Sequence, residues 1–153
     1  MVNFLGTYEC KVDAKGRLMF PASLKTQMGE AVKQGFVIKR SIFKKCLELF
    51  PSENWQNESG MVSKLNMFNR KNAEFITKFM AGVKPVDMDG TGRLLIPKDL
   101  VKYGGITKEI VLTSVVNRFE IWDKTVYEKA VDYDPDDFAK LAEEVMGQFD
   151  TDS

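Results

Sequence analysis

Residues 13–24 read D-A-K-G-R-L-M-F-P-A-S-L, and residues 89–100 read D-G-T-G-R-L-L-I-P-K-D-L. The second stretch lies 76 residues after the first, and Asp, Gly, Arg, Leu, Pro and Leu recur at the same six of twelve positions. Met19 against Leu95 and Phe20 against Ile96 keep the apolar character. A repeat sets the architecture, and two copies make a duplicated half-domain rather than a solenoid. In each copy the Asp, Asp13 or Asp89, opens a turn, because its side chain accepts from backbone N–H groups just downstream. Gly16 and Gly92 supply a positive φ without steric cost. Arg17 and Arg93 stand where the turn becomes a strand, expected over 18–20 and 94–96. Pro21 and Pro97 end the strand and suit the first turn of a helix. Short helices are expected over 22–28 and 98–103, with glycines as stops.

Working outward, residues 4–12 carry Leu5, Tyr8, Cys10 and Val12 in partial alternation and read as a strand entering the first turn. Residues 36–39 and 46–50 are apolar runs joined by a polar, basic connection, which reads as a hairpin. Residues 110–113 and 119–122 repeat that pattern, with L-E-L-F at 47–50 against F-E-I-W at 119–122. The duplication therefore spans about 45 residues in each half. A helical insert separates the halves. Pro51 marks the break, Met61, Val62, Leu65 and Phe68 have helical spacing, and Asn69 suits the cap of a second helix carrying Ala73, Ile76, Phe79 and Met80. These side chains are expected to pack structurally. After the second half come a short helix from Asp123 and an amphipathic one, with Asp134 as cap and Pro135 at its first position. Phe138, Leu141, Ala142, Val145 and Phe149 share a face there. That face is expected to pack on the body of its own chain, an oligomer contact being the alternative.

A chain of 153 residues makes one compact unit or two small halves sharing a core. At 44% hydrophobic and 29% charged it has the composition of a soluble globular protein. No run approaches a membrane span, and residues 1–6 are too short and uncharged for a signal peptide. Cys10 and Cys46 form no metal or redox motif and read as reduced, strand-embedded residues of a cytoplasmic protein. The net charge is zero but unevenly spread: residues 1–84 carry +7, and residues 132–153 hold eight acids against one Lys. A basic body with an acidic tail is compatible with DNA binding by one face, and equally with solvated helix surfaces.

Catalytic chemistry is scarce. The chain has no histidine, which removes the commonest general base and metal ligand. No phosphate-binding glycine motif and no C-x-x-C occur. Neither cysteine has an evident activating base. An enzyme is therefore not expected, nor a metal, a cofactor or a small-molecule substrate. The candidate site is the repeated turn. Arg17 and Arg93 are planar donors suited to phosphate oxygens or to guanine O6 and N7. The competing use is structural, each Arg pairing with the Asp four residues earlier to fix its turn. The first half adds Lys11 and Lys15 where the second has Asp87 and Thr91, so a polyanion would favour the first turn.

A strand followed by G-R, three apolar residues, Pro and a short helix resembles the AbrB-like swapped-hairpin DNA-binding modules of bacterial regulators. Two tandem D-x-x-G-R copies, N-R-K-N-A-E-F-I-T-K-F-M-A-G at 69–82 and N-R-F-E-I-W-D at 117–123 resemble the MraZ family in order along the chain. The resemblance implies an α+β fold, in which two pseudo-symmetric AbrB-like β-hairpin repeats intertwine into one β core with helices between and after them. It divides the chain into a first repeat over 7–53, a helical insert over 54–82, a second repeat over 83–125 and an acidic helix and tail over 126–153. It also implies a nucleoid-associated transcriptional regulator of the division and cell-wall gene cluster. Such a protein binds direct repeats in its own promoter as a ring-shaped homo-oligomer. The family's DNA-contacting Arg falls on Arg17, its second-copy counterpart on Arg93, and a commonly basic position on Lys15; Thr91 departs from that pattern. A protein-interaction module, antitoxin-like, with purely structural turns is the alternative function.

Overall fold

The computed structural model describes residues 3–152, with side chains through residue 149. The first half comprises β1 (Thr7–Lys11), β2 (Arg17–Met19), α1 (Ala22–Met28), β3 (Phe36–Arg40) and β4 (Leu47–Pro51). The insert holds α2 (Ser52–Val62) and α3 (Arg70–Phe79). The second half repeats the first as β5 (Lys84–Val86), β6 (Arg93–Leu95), α4 (Lys98–Gly104), β7 (Glu109–Val115) and β8 (Arg118–Asp123). Helices α5 (Lys124–Val131) and α6 (Pro135–Met146) follow. The chain is mixed α+β.

Six strands form one antiparallel sheet in the order β1-β7-β8-β4-β3-β5, and β2 pairs with β6 in a separate ribbon. Exchanging each strand for its repeat partner reverses that order onto itself, so the sheet has a pseudo-two-fold axis. The axis runs between β4 and β8, where Glu48 faces Glu120, and through the ribbon, where Leu18 faces Leu94. The halves are interleaved: β1 of the first half pairs with β7 of the second, and β5 of the second pairs with β3 of the first.

Alternation on the ribbon builds the core. Leu18 and Leu94 point inward and are fully or almost fully buried, while Met19 and Leu95 face out. Phe20 lies 5.5 Å from Phe36 and 5.6 Å from Phe119, and Phe4 stacks on Phe119 at 5.4 Å, tying both halves to one aromatic cluster. Two carboxylates facing each other on the axis would repel, and each is neutralised differently. Glu48 meets Lys39 at 3.5 Å and Arg118 at 3.4 Å. Glu120 meets Lys44 at 2.5 Å and accepts from Trp122 Nε1 at 3.0 Å. Burial pushes the Lys39 ammonium below its usual pKa, and Glu48 partly restores it.

Several expectations need correction. Pro21 and Pro97 are helix N-caps in extended backbone, with ψ of 132° and 142°, because proline's fixed φ suits the last extended residue as well as the first helical one. In the insert, α2 begins directly after β4 and ends at Val62, so Leu65 and Phe68 lie beyond it, with Phe68 fully exposed. What orders α2 is one aromatic and two polar anchors. Trp55 packs between Phe50 and Phe79, at 5.3 and 5.8 Å. The buried Asn54 donates to the Asn117 carbonyl at 2.8 Å, and Glu58 pairs with Arg118 at 3.1 Å. Asn69 does cap α3, accepting from Asn72 N.

Cys10 lies in β1, but Cys46 sits in the connection just before β4 rather than in a strand; both are free thiols, and burial pushes Cys46 up to about 12. Asp123 and Asp134 cap α5 and α6, accepting from Val126 N and Asp137 N. The apolar face of α6 does not pack on its own body: Phe138, Leu141, Val145 and Phe149 are all exposed. The place against β7 and β8 is already taken by α5, with Tyr127 edge-on to Trp122. Among the described residues no helix is long and apolar enough to cross a membrane.

Candidate nucleic-acid interface

Each turn is held by one carboxylate. Asp13 Oδ1 accepts from Lys15 N at 3.0 Å and Arg17 N at 2.9 Å, and Asp13 Oδ2 accepts from Arg17 Nε at 2.7 Å. Gly16, at φ 86°, returns its N–H to the Asp13 carbonyl at 3.0 Å. The second turn repeats the pattern: Asp89 Oδ1 accepts from Thr91 N and Arg93 N, both at 2.9 Å, and Oδ2 from Arg93 Nε at 3.1 Å. Gly92 has φ 84°. One addition distinguishes this turn, the Thr91 hydroxyl donating to Asp89 Oδ1 at 2.8 Å.

Hydrogen bonds to the ionised form lower a carboxyl pKa. The Arg17 backbone N–H holds Asp13 below its ordinary value, aided by the Arg17 side chain. Asp89 falls to about 2, first through the Arg93 backbone N–H and then through the Thr91 hydroxyl. Both turns are therefore locked at neutral pH. The structural pairing weighed against ligand binding is real, but it leaves the other use open. Each carboxylate engages the Nε edge of its guanidinium, and among the described residues nothing bonds Nη1 or Nη2 of Arg17 or Arg93. The Asp fixes the fork while its outer edge stays available, and both side chains are about one-third exposed.

The ribbon brings the two arginines together. With Leu18 and Leu94 inward, residues 17, 19, 93 and 95 lie on the outward face. Arg17 pairs with Leu95 and Met19 with Arg93, so the two arginines are diagonal neighbours across the ribbon, about 7–8 Å apart. Exposed Met19 and Leu95 lie between them. A two-stranded ribbon of this width fits a major groove, where arginine forks read guanine and apolar tips meet thymine methyl groups.

Each turn also rests on the opposite half. Ile96 N donates to the Gly16 carbonyl at 2.9 Å, and Phe20 N to the Gly92 carbonyl at 3.0 Å. A Cβ at Gly16 would stand 3.2 Å from the Ile96 carbonyl oxygen, a tight approach that adds to the strain a side chain would meet at this positive φ. The first turn borders an open groove of about 630 Å³ whose cations are Lys15, Lys98 and Lys108, the last two from the second half. Asp13 also lines it. The corresponding groove of about 430 Å³ at the second turn has Lys25 and Lys33 with Asp87 and Asp89, one lysine fewer and one aspartate more. Lys98 and Lys108 were not singled out from the sequence. Their one signal there is the swapped connectivity, which places second-half residues beside the first turn. Asp13 and Asp89 are each consumed by their own turn and share no hydrogen bond.

A family model described as "MraZ protein, putative antitoxin-like" matches residues 3–76 and 79–149. The chain belongs to the MraZ family. The two matched segments meet at the end of α3, so the MraZ model reads the chain as two tandem units, as the pseudo-two-fold axis does. A protein named "Transcriptional regulator MraZ" from Christiangramia forsetii is 57% identical over 99% of this chain and 98% of its own length. One of the same name from Flavobacterium psychrophilum is 55% identical over 99% and 97%. Another from Cytophaga hutchinsonii is 36% identical over 94% of each.

Proposed function

We propose that this chain is a sequence-specific DNA-binding transcriptional regulator that reads double-stranded DNA with the β2–β6 ribbon. Arg17 is the principal reader, Lys15 assists it, and Arg93 plays the smaller part. The observation that carries this reading is the clamped arginine: Asp13 holds the Nε edge at 2.7 Å, and among the described residues nothing bonds the Nη edge. Pre-ordering a guanidinium fork removes much of the rotamer entropy that binding would otherwise cost. The names of the full-length relatives support a role in transcription and none in catalysis.

The family resemblance carries the finer reading. The targets are direct repeats in the chain's own promoter, upstream of a division and cell-wall gene cluster. The protein is cytoplasmic and sits at the nucleoid as a ring-shaped homo-oligomer. One turn with two or three cations binds a single element weakly, and phosphate contacts weaken steeply with salt. Joining several turns on one assembly against several repeats raises avidity by roughly 10²–10⁴ without a new contact.

The test is fluorescence anisotropy with duplex DNA from upstream of the chain's own gene, against a shuffled duplex, at two salt concentrations. The reading expects tight, salt-sensitive binding to the native fragment and weaker binding to the shuffled one. Equal binding to both would reduce the ribbon to a nonspecific basic face. No binding at low salt, with a co-purifying protein, would favour the antitoxin-like interaction module.

A further inference from the structure

Two backbone hydrogen bonds fasten segments of the second half to the two sides of the first turn. Val12 N donates to the Lys108 carbonyl at 2.9 Å at the entry, and Ile96 N donates to the Gly16 carbonyl at 2.9 Å at the exit. The first holds Lys108 beside the residue that precedes Asp13. The second places Lys98 two residues beyond the contact, and three beyond Leu95, the register partner of Arg17. Both lysines therefore line the groove of about 630 Å³ that borders the turn, together with Lys15 from the first half.

Lys98 and Lys108 are exposed, and among the described residues neither ammonium makes a hydrogen bond or an ion pair. The acid in the groove is Asp13, which engages Arg17 Nε through Oδ2 and two backbone N–H groups through Oδ1. Three lysines against one aspartate leave the groove cationic. Lys108 also borders a smaller cleft with Lys11, Lys124, Glu109 and Asp123, where Asp123 accepts from the Thr107 hydroxyl and from Val126 N.

The pseudo-two-fold axis supplies the comparison. Lys15 corresponds to Thr91 and Lys98 to Ala22, each 76 residues away. Ile110 pairs with Cys10 as Phe36 pairs with Val86, so Lys108, two residues before Ile110, corresponds to Gln34, two before Phe36. The equivalent half folds without a cation at any of the three positions, so packing does not call for them. The second groove has lysines of its own, Lys25 and Lys33, but Asp87 and Asp89 equal them in number.

We propose that Lys98 and Lys108 hold phosphates of the DNA backbone beside the bases read by Arg17. The first half then supplies the reading fork and the second half its grip on the backbone. This rests on the DNA-reading role of the ribbon and adds two phosphate-contacting residues to it. Phosphate contacts fix position and carry no sequence information, so these lysines set affinity while Arg17 sets discrimination.

The test is the salt dependence of fluorescence anisotropy with the native promoter fragment and the shuffled duplex. Wild type is compared with Lys98→Gln, Lys108→Gln and the double variant, with thermal melts to check folding. Lys140→Gln, on α6, removes the same charge from an exposed position that lines no part of the groove. Each groove variant should lower the slope of log affinity against log salt by about 1, and the double variant by about 2. Both duplexes should lose affinity by the same factor, and Lys98→Arg and Lys108→Arg should bind as wild type does. Unmoved slopes beside a wild type that binds would overturn this assignment and leave the ribbon reading intact. An equal fall in Lys140→Gln would reduce the effect to net charge, and a loss confined to the native duplex would make the lysines base readers; either contradicts the proposal. A wild type that binds neither duplex at low salt would remove the DNA reading itself, and this inference with it.

Discussion

At the first turn Asp13 accepts from Lys15 N, Arg17 N and Arg17 Nε; at the second Asp89 accepts from Thr91 N, Arg93 N and Arg93 Nε. The backbone solution is the same to within a few tenths of an ångström. The surroundings are not. Lys15, Lys98 and Lys108 gather with Asp13 at the first turn, while Lys25 and Lys33 share the second with Asp87, Asp89 and the Thr91 hydroxyl. The duplication thus preserved the hydrogen bonds that make the turn and let the charge around it diverge. Stability should follow the conserved part, and DNA binding the divergent part.

The largest expected effect falls where the halves are equivalent. Leu18 and Leu94 face each other on the axis, both buried. Leu18→Ala and Leu94→Ala should each cost about 2–5 kcal/mol in urea unfolding, with similar values for the two. A large inequality would mean that the halves do not share the core evenly. Next comes the site. Arg17→Ala should weaken binding to the promoter fragment by about 1–3 kcal/mol, and Arg93→Ala by less, with folding intact in both.

Moving a single cation tests whether charge makes the difference. Lys15→Thr should lower the slope of log affinity against log salt by about 1, and Thr91→Lys should raise it by a similar amount. If neither slope moves, the turn lysine does not meet a phosphate. The smallest effect is on the acid limb. Asp89 has a folded-state pKa of about 2, below its ordinary 3.8, so its contribution to stability is present above about pH 4 and is lost as pH falls towards 2. Melting temperatures recorded from pH 5 to 2 should fall less steeply for Asp89→Asn than for wild type.

The repeat, the turn chemistry and the side-chain caps of α3, α5 and α6 were legible in the sequence, whereas Pro21 and Pro97 proved to be caps themselves. Each rests on local spacing: Asp four before Arg, Asn69 before a helical stripe, Asp134 before Pro135. What escaped rests on distant partners. Helix α2 has no apolar stripe, because Trp55 and Asn54 anchor it to Phe50, Phe79 and Asn117. The stripe on α6 was visible, but periodicity gives a face and not what covers it. Lys98 and Lys108 came into the site only when the swapped strands placed them beside the first turn.

The central claim is that the Arg17 turn reads DNA and the Arg93 turn mainly supports the fold. Its most direct test is anisotropy with the native promoter fragment and its shuffled counterpart, comparing wild type, Arg17→Ala and Arg93→Ala at one salt concentration. The account predicts that Arg17→Ala loses discrimination between the two duplexes while Arg93→Ala keeps most of it. Equal losses from the two variants, or discrimination surviving in Arg17→Ala, would contradict it.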